Sequence, residues 1–207
     1  MASSLIHIAV ANEINKKINR DSSKLLIGTI SPDISKLVGI HKYITHFASE
    51  ETPSIPNLDS FLNKYKNNLN DDFVLGYYIH LYVDYLWFKY FITEINDKDM
   101  IKTLDGKTIK CSKEEILNYI YNDYTNLNAR LIDEYDLDLK IFYNDIPELN
   151  NIIEEIPMDK IKLIVDEAGL IIKNTTVKKN MVFNVENVKE FISLCVDIIS
   201  SEIEKYI

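Results

Sequence analysis

The segment from Phe73 to Ile95 most constrains what this chain can fold into. Positions 73, 77, 80, 84, 87, 88 and 91 fall at i, i+4, i+7, i+11 and onward, the spacing of one helical face. Phe73, Tyr77, Trp87, Phe88 and Phe91 on that face are aromatic and belong in a core. His80 and Asp84 stand in the middle of the same stripe. A carboxylate buried among aromatic rings is costly unless it is paired or bound to a metal. Two readings follow. His80 is a neutral core histidine hydrogen-bonded to Asp84, or the pair, one turn apart, grips one ion. His80, Asp84, Lys89 and Glu94 also interrupt the most apolar stretch of the chain, which argues against a bilayer span.

The rest of the chain is built to surround such a helix. Its 207 residues include only five glycines and five prolines. So few turn-formers favour an all-α fold, a single-domain multi-helix bundle, over a sandwich or barrel. Ser3 or Ser4 caps a first helix to about Asn19, with His7, Ala11, Ile14 and Ile18 on one face. Ser22 or Ser23 starts a second, ending near Ile30, and the Ser31-Pro32-Asp33 turn breaks it. Residues 34–56 read as a long loop with short helical turns, a length usually kept for function. Asn57 caps a short helix over 58–65, and Asp71 or Asp72 caps the long one. Asp105-Gly106 marks a small hairpin insert near 100–110. Ser112 with Glu115 forms a capping box for a helix to about Tyr135. Shorter helices are expected near 147–154 and 159–173, and Asn184 opens the last.

A net charge of −9 argues against nucleic acid as partner. Cys111 and Cys195 read as free thiols of a reducing compartment. The N-terminal stretch lacks a basic region before its apolar run and reads as an amphipathic helix, not a secretory signal. A cytoplasmic protein is therefore expected. Dinucleotide and P-loop glycine patterns, the G-x-S-x-G elbow, an HD dipeptide and the E-x-x-H pair of di-iron bundles are all absent.

All four histidines, His7, His41, His46 and His80, fall in the first 80 residues. Asp33 sits in a sharp turn at a helix end, His46 beside Phe47, and His7 on the apolar face of the first helix. Each alone is more often structural. Together they supply an Asp/His set suited to zinc or a similar borderline ion.

The ordered pieces SLIHIAVA at 4–11, LLIGTISPDI at 25–34, ITHF at 44–47 and FVLGYYIHLYVDYLW at 73–87 resemble the zinc-dependent phospholipase C family, also called the phospholipase C/D domain. The resemblance covers about the first 90 residues. It implies that Asp33, His46, His80 and Asp84 surround one metal, with His7 on a second that shares Asp84 as a bridge. In the family an N-terminal amine joins the His7 metal once a leader is removed; no leader is evident here. The family's later H-x-x-x-E ligands have no counterpart, since no histidine follows His80, and Asp123 is the best substitute by order along the chain. The implied activity is a phospholipase C-like hydrolysis of phosphate esters by a metal-bound water, with one or two zinc ions and Asp33 orienting or deprotonating the water. The implied substrate is a phosphate-ester small molecule or a phospholipid head group, without stable membrane insertion. The alternative is a non-catalytic helical protein whose ion is structural. His41 maps onto no family ligand, and Lys42 reads as a solvated lysine.

Overall fold

The computed structural model describes residues 2–97, 99–173 and 179–207. The fold is all-α, and one hydrophobic cluster takes in side chains from Ala2 to Ile203. Helix α1 spans Ser4–Ile18, starts with Ser3 accepting from the Ile6 N–H and ends with Asn19 in the left-handed conformation. Asp21 then caps α2, Ser22–Ile30. Ser31–Ile34 form a 3₁₀ turn, followed by two single-turn helices, α3 at Ser35–Val38 and α4 at Lys42–Thr45. These are the short turns expected in the long loop. Asn57 caps α5, Leu58–Tyr65.

Asp71 caps α6, Asp72–Leu86, by accepting from the Phe73 and Val74 N–H groups. Twelve of its fifteen residues are buried. A helix apolar on every side lies at the centre of a bundle, and α6 does so. A π-helical turn at Trp87–Phe91 carries it into α7, Ile92–Ile95. The insert is a small antiparallel sheet in which β2, Met100–Lys102, pairs with β3, Thr108–Lys110, around the Asp105-Gly106 turn. A two-residue strand β1, Asn96–Asp97, adds an edge that the sequence does not announce. Helix α8, Lys113–Glu134, begins with the expected capping box. Helices α9, Ile161–Lys173, and α10, Val185–Ile203, complete the bundle, the latter capped by Asn184.

The helix expected near 147–154 does not form. Pro147 and Pro157 bracket that segment, which is irregular and tied to other elements instead. Asn150 donates to Asp71 at 2.7 Å, the Glu154 N–H donates to the Tyr65 hydroxyl at 3.0 Å, and that hydroxyl donates to Glu155 at 2.7 Å. Buried Ile153 and Ile156 pin it as a strap.

What positions the site is the contact between α2 and α6. A Cβ on Gly28 would meet the Phe73 carbonyl oxygen at 2.1 Å, and one on Gly76 would meet that of Leu25 at 2.0 Å. Only glycine lets the two backbones approach so closely. The approach brings the Thr29 carbonyl to His80.

Candidate metal centre

Five of the six residues singled out from the sequence converge. His7 comes from α1, Asp33 from the turn after α2, His46 from the end of α4, and His80 and Asp84 from α6. His7, His46, His80 and Asp84 have no exposed surface, and Asp33 keeps 4%. Two donor triads lie within 4.8 Å, His7–His80–Asp84 and Asp33–His46–His80, and both are positioned to hold a metal ion.

A hydrogen bond to a backbone carbonyl determines which nitrogen of His80 is free, and a hydroxyl orients His46. His80 Nδ1 lies 2.7 Å from the Thr29 carbonyl oxygen. A carbonyl only accepts, so Nδ1 carries the proton and the neutral ring keeps its lone pair on Nε2. Thr45 Oγ1 lies 2.9 Å from His46 Nδ1 and 3.3 Å from the Lys42 carbonyl oxygen; with its hydrogen on that carbonyl, it accepts from His46 Nδ1. The His46 lone pair then also sits on Nε2. These two Nε2 atoms face each other at 3.2 Å. Two lone pairs cannot bond each other; a shared electrophile satisfies both. A backbone or hydroxyl partner on the far nitrogen is also how metal-binding histidines are oriented.

The carboxylates close the cage. His46 Nε2 lies 3.7 Å from Asp33 Oδ1 and 3.7 Å from Asp84 Oδ2, and His80 Nε2 lies 3.9 Å from Asp84 Oδ2. His7 stacks on His80 with ring centroids 3.9 Å apart. Its Nε2 lies 3.3 Å from Asp84 Oδ1 without the alignment of a hydrogen bond. Donors about 2.1 Å from a tetrahedral zinc lie roughly 3.4 Å from one another. The spacings here match that scale. Both ring nitrogens of His7, Asp33 Oδ1 and Asp84 Oδ2 are buried without a hydrogen-bond partner among the described residues. Buried polar atoms are normally satisfied, so a concentration of orphans in one place points to a ligand they were shaped to hold.

Electrostatics keeps the donors in their binding forms. Burial lowers the pKa of His46 to about 3, helped by Lys42, and that of His80 well below its usual value, so both rings are neutral. Burial alone would raise Asp33, but Lys36, with His80 and His46, outweighs it and holds the carboxyl at about 2. Asp84 likewise stays well below the usual carboxylate range, because His7 and Lys42 are among the neighbours that overcome its desolvation. The Ala2 N–H donates to Asp84 Oδ1 at 3.0 Å.

Two expectations need correction. Asp123 stands in neither triad. It is fully buried, but its carboxylate accepts from the backbone N–H groups of Met181, Val182 and Phe183 at 2.6–3.1 Å, so it anchors the chain ahead of α10. Lys42 is not a solvated lysine. Its ammonium lies 3.6 Å from Asp84 Oδ2 with the side chain 24% exposed, and burial lowers its pKa. Sequence reasoning also passed over Lys36, 3.1 Å from Asp33 Oδ2, whose i,i+3 spacing to Asp33 was a usable signal. His41 is exposed, stacked near Tyr43, and outside the cluster.

The His46 position has a backbone signature as well. Phe47 adopts φ 53°, uncommon for an aromatic residue, and sends its ring into an aromatic group with Phe61, Tyr65 and Tyr77 while His46 stays in the cluster. Tyr77 donates to the Thr45 carbonyl, which fixes the same turn. Beside the cluster lies a cavity of about 500 Å³ whose wall includes Lys42 and Trp87. Among the described residues no helix is long and apolar enough to cross a membrane. Compared with known proteins, the chain matches no family model, no curated protein and no solved structure.

Proposed function

We propose that this chain is a metal-dependent, phospholipase C-like phosphodiesterase, a zinc hydrolase of phosphate esters. The observation that carries the reading is the knot of orphaned, buried donors where α1, α4, α6 and the Asp33 turn meet. Because His80 Nδ1 donates to Thr29, His80 offers only Nε2 and serves one ion. Asp84 offers two oxygens. Oδ2 faces His46 and His80, and Oδ1 faces His7. Asp33, His46, His80 and Asp84 therefore form one set, and His7 with Asp84 the start of a second. Bound there, a divalent ion supplies Lewis acidity and lowers the pKa of a water toward neutrality.

The protein's own groups do the remaining work. Asp33, ionised down to about pH 2, is a poor proton acceptor, so Oδ1 orients a water by accepting its hydrogen bond. Lys36 holds the other oxygen of Asp33 and fixes its direction. Lys42, at the junction of cluster and cavity, counters the charge of a phosphoryl group. Two buried free thiols suit the cytoplasm, where we place the protein.

Elemental analysis of gently purified protein should find zinc near one or two equivalents, and the same samples should hydrolyse bis(4-nitrophenyl) phosphate. His80→Ala should abolish both. Metal-free, inactive protein would reject the reading. Burial favours a second one: four of the five donors have no exposed surface, as in a site that holds an ion for folding. Zinc at full occupancy with no turnover on any phosphate ester would select it.

A further inference from the structure

The donor knot leaves the adjacent cavity and the indole of Trp87 unexplained. The cavity of about 500 Å³ is lined on one side by Trp87 and Phe88 and on the other by Ile116, Ile120 and Tyr124 of α8. Its wall holds two charged residues, Lys42 and Lys113, both positive, in a chain of net charge −9. Lys113 has no ion-pair partner among the described residues. Lys42 lies over the Phe88 ring at 5.8 Å while reaching Asp84 at 3.6 Å. Trp87 is fully buried and held by Phe91 stacked at 4.1 Å, yet its Nε1–H has no acceptor among the described residues. A buried N–H without an acceptor costs about 1–3 kcal/mol. Two cations and four aromatic side chains around one cavity together describe a ligand: an anion joined to a flat apolar group.

We propose that this cavity binds an aromatic phosphate ester, with Lys42 and Lys113 facing the phosphoryl oxygens and the ring lying among Trp87, Phe88, Tyr121 and Tyr124. The proposal rests on the metal-centre reading in making that ligand the substrate; binding itself requires no ion.

Trp87 is the single tryptophan of the chain, so its fluorescence reports the cavity directly. The probe is phenylphosphonate, whose carbon–phosphorus bond is not hydrolysed, with inorganic phosphate and phenol, the two halves of the corresponding ester, as controls. Phenylphosphonate should change Trp87 emission saturably and bind at least tenfold tighter than either half. Lys42→Met should weaken it tenfold or more. Lys113→Glu, at an exposed position where folding is not at risk, should weaken it about tenfold by repulsion, and Lys64→Gln should leave it unchanged. Binding of phosphate or phenol as tight as that of phenylphosphonate, absence of a saturable signal, or full affinity in Lys113→Glu overturns the proposal. Metal content measured on the same samples separates the two ideas. Zinc-loaded protein that ignores the probe sinks only the cavity assignment, and metal-free protein that binds it sinks only the metal centre.

Discussion

Asp123 and Asp84 are both fully buried carboxylates on long helices, and they do opposite things. The Asp123 carboxylate accepts from three consecutive backbone N–H groups and from the Asn122 side-chain amide, a small anion nest that happens to be filled by a side chain of the same protein. Asp84 keeps Oδ2 without a hydrogen bond, faces two imidazole lone pairs across less than 4 Å and shares its surroundings with three other orphaned atoms. Burial alone does not separate the two acids; the count of satisfied lone pairs does.

The comparison breaks most visibly on metal removal. At a free-ion concentration of 1,000 times its dissociation constant, an ion bound only by the folded state stabilises it by about 4 kcal/mol. For a chain of this size that corresponds to roughly 10 °C. A chelator should therefore lower the Tm of the wild type by that order, and should do nothing to His80→Ala, which has already lost the ion. Calorimetry that shows no chelator effect on the wild type would place Asp84 in the same class as Asp123.

Asp123→Ala is the converse experiment. It strips acceptors from three backbone N–H groups, and we expect a loss of about 3 kcal/mol. Zinc stoichiometry and the chelator-induced shift should stay as in the wild type. Loss of metal in this variant would mean that α8 communicates with the cluster.

Lowering the pH separates the two regions without mutation. His46 titrates near 3 when folded and near 6.5 when free. Between those values the unfolded chain binds the extra proton, so the contribution of His46 is complete above pH 6.5 and declines as pH falls. By pH 4.5 roughly 2–3 kcal/mol should be gone in metal-free protein. Asp33, near 2 when folded against 3.8, acts in the same direction only below pH 3.8. Denaturant midpoints measured from pH 7.5 to 4.5 should trace this decline, with the same slope in Asp123→Ala. A flat profile would mean that His46 is not held neutral.

Local features were legible in the sequence because local physics produces them. The caps at Ser3, Asn57, Asp71, Ser112 and Asn184 satisfy N–H groups two or three residues away. His80 and Asp84 share a face through helix periodicity alone. Asp33, His46 and His7 stood out by a turn, an aromatic neighbour and an apolar face, but their grouping around one metal came only with the resemblance, since convergence depends on tertiary packing. What stayed hidden has no local signature. The backbone N–H partners of Asp123 lie 58–60 residues away. Gly28 and Gly76 look like ordinary helix glycines until α2 and α6 are packed together. The strap at 147–154 carries helix-compatible residues, but its bonds run to α5 and α6.

The finest test concerns Thr45, which neither faces the cavity nor offers a metal donor. Its hydroxyl fixes the His46 tautomer by accepting from Nδ1 while donating to the Lys42 carbonyl. Thr45→Val keeps the volume and removes that bond. His46 Nδ1 then lacks its acceptor, and the proton can move to Nε2, where it blocks the lone pair aimed at His80 and Asp33. Partners of this kind contribute 10–100-fold to metal affinity. Competition titration against a chromophoric chelator should show that loss with the helical content intact, whereas the equivalent removal of a hydroxyl at Thr125, which only bonds back to the Tyr121 carbonyl on α8, should leave affinity unchanged. If Thr45→Val binds zinc as tightly as the wild type, the lone pairs of His46 and His80 do not face each other for the sake of an ion, and the contrast between Asp84 and Asp123 loses its chemical basis.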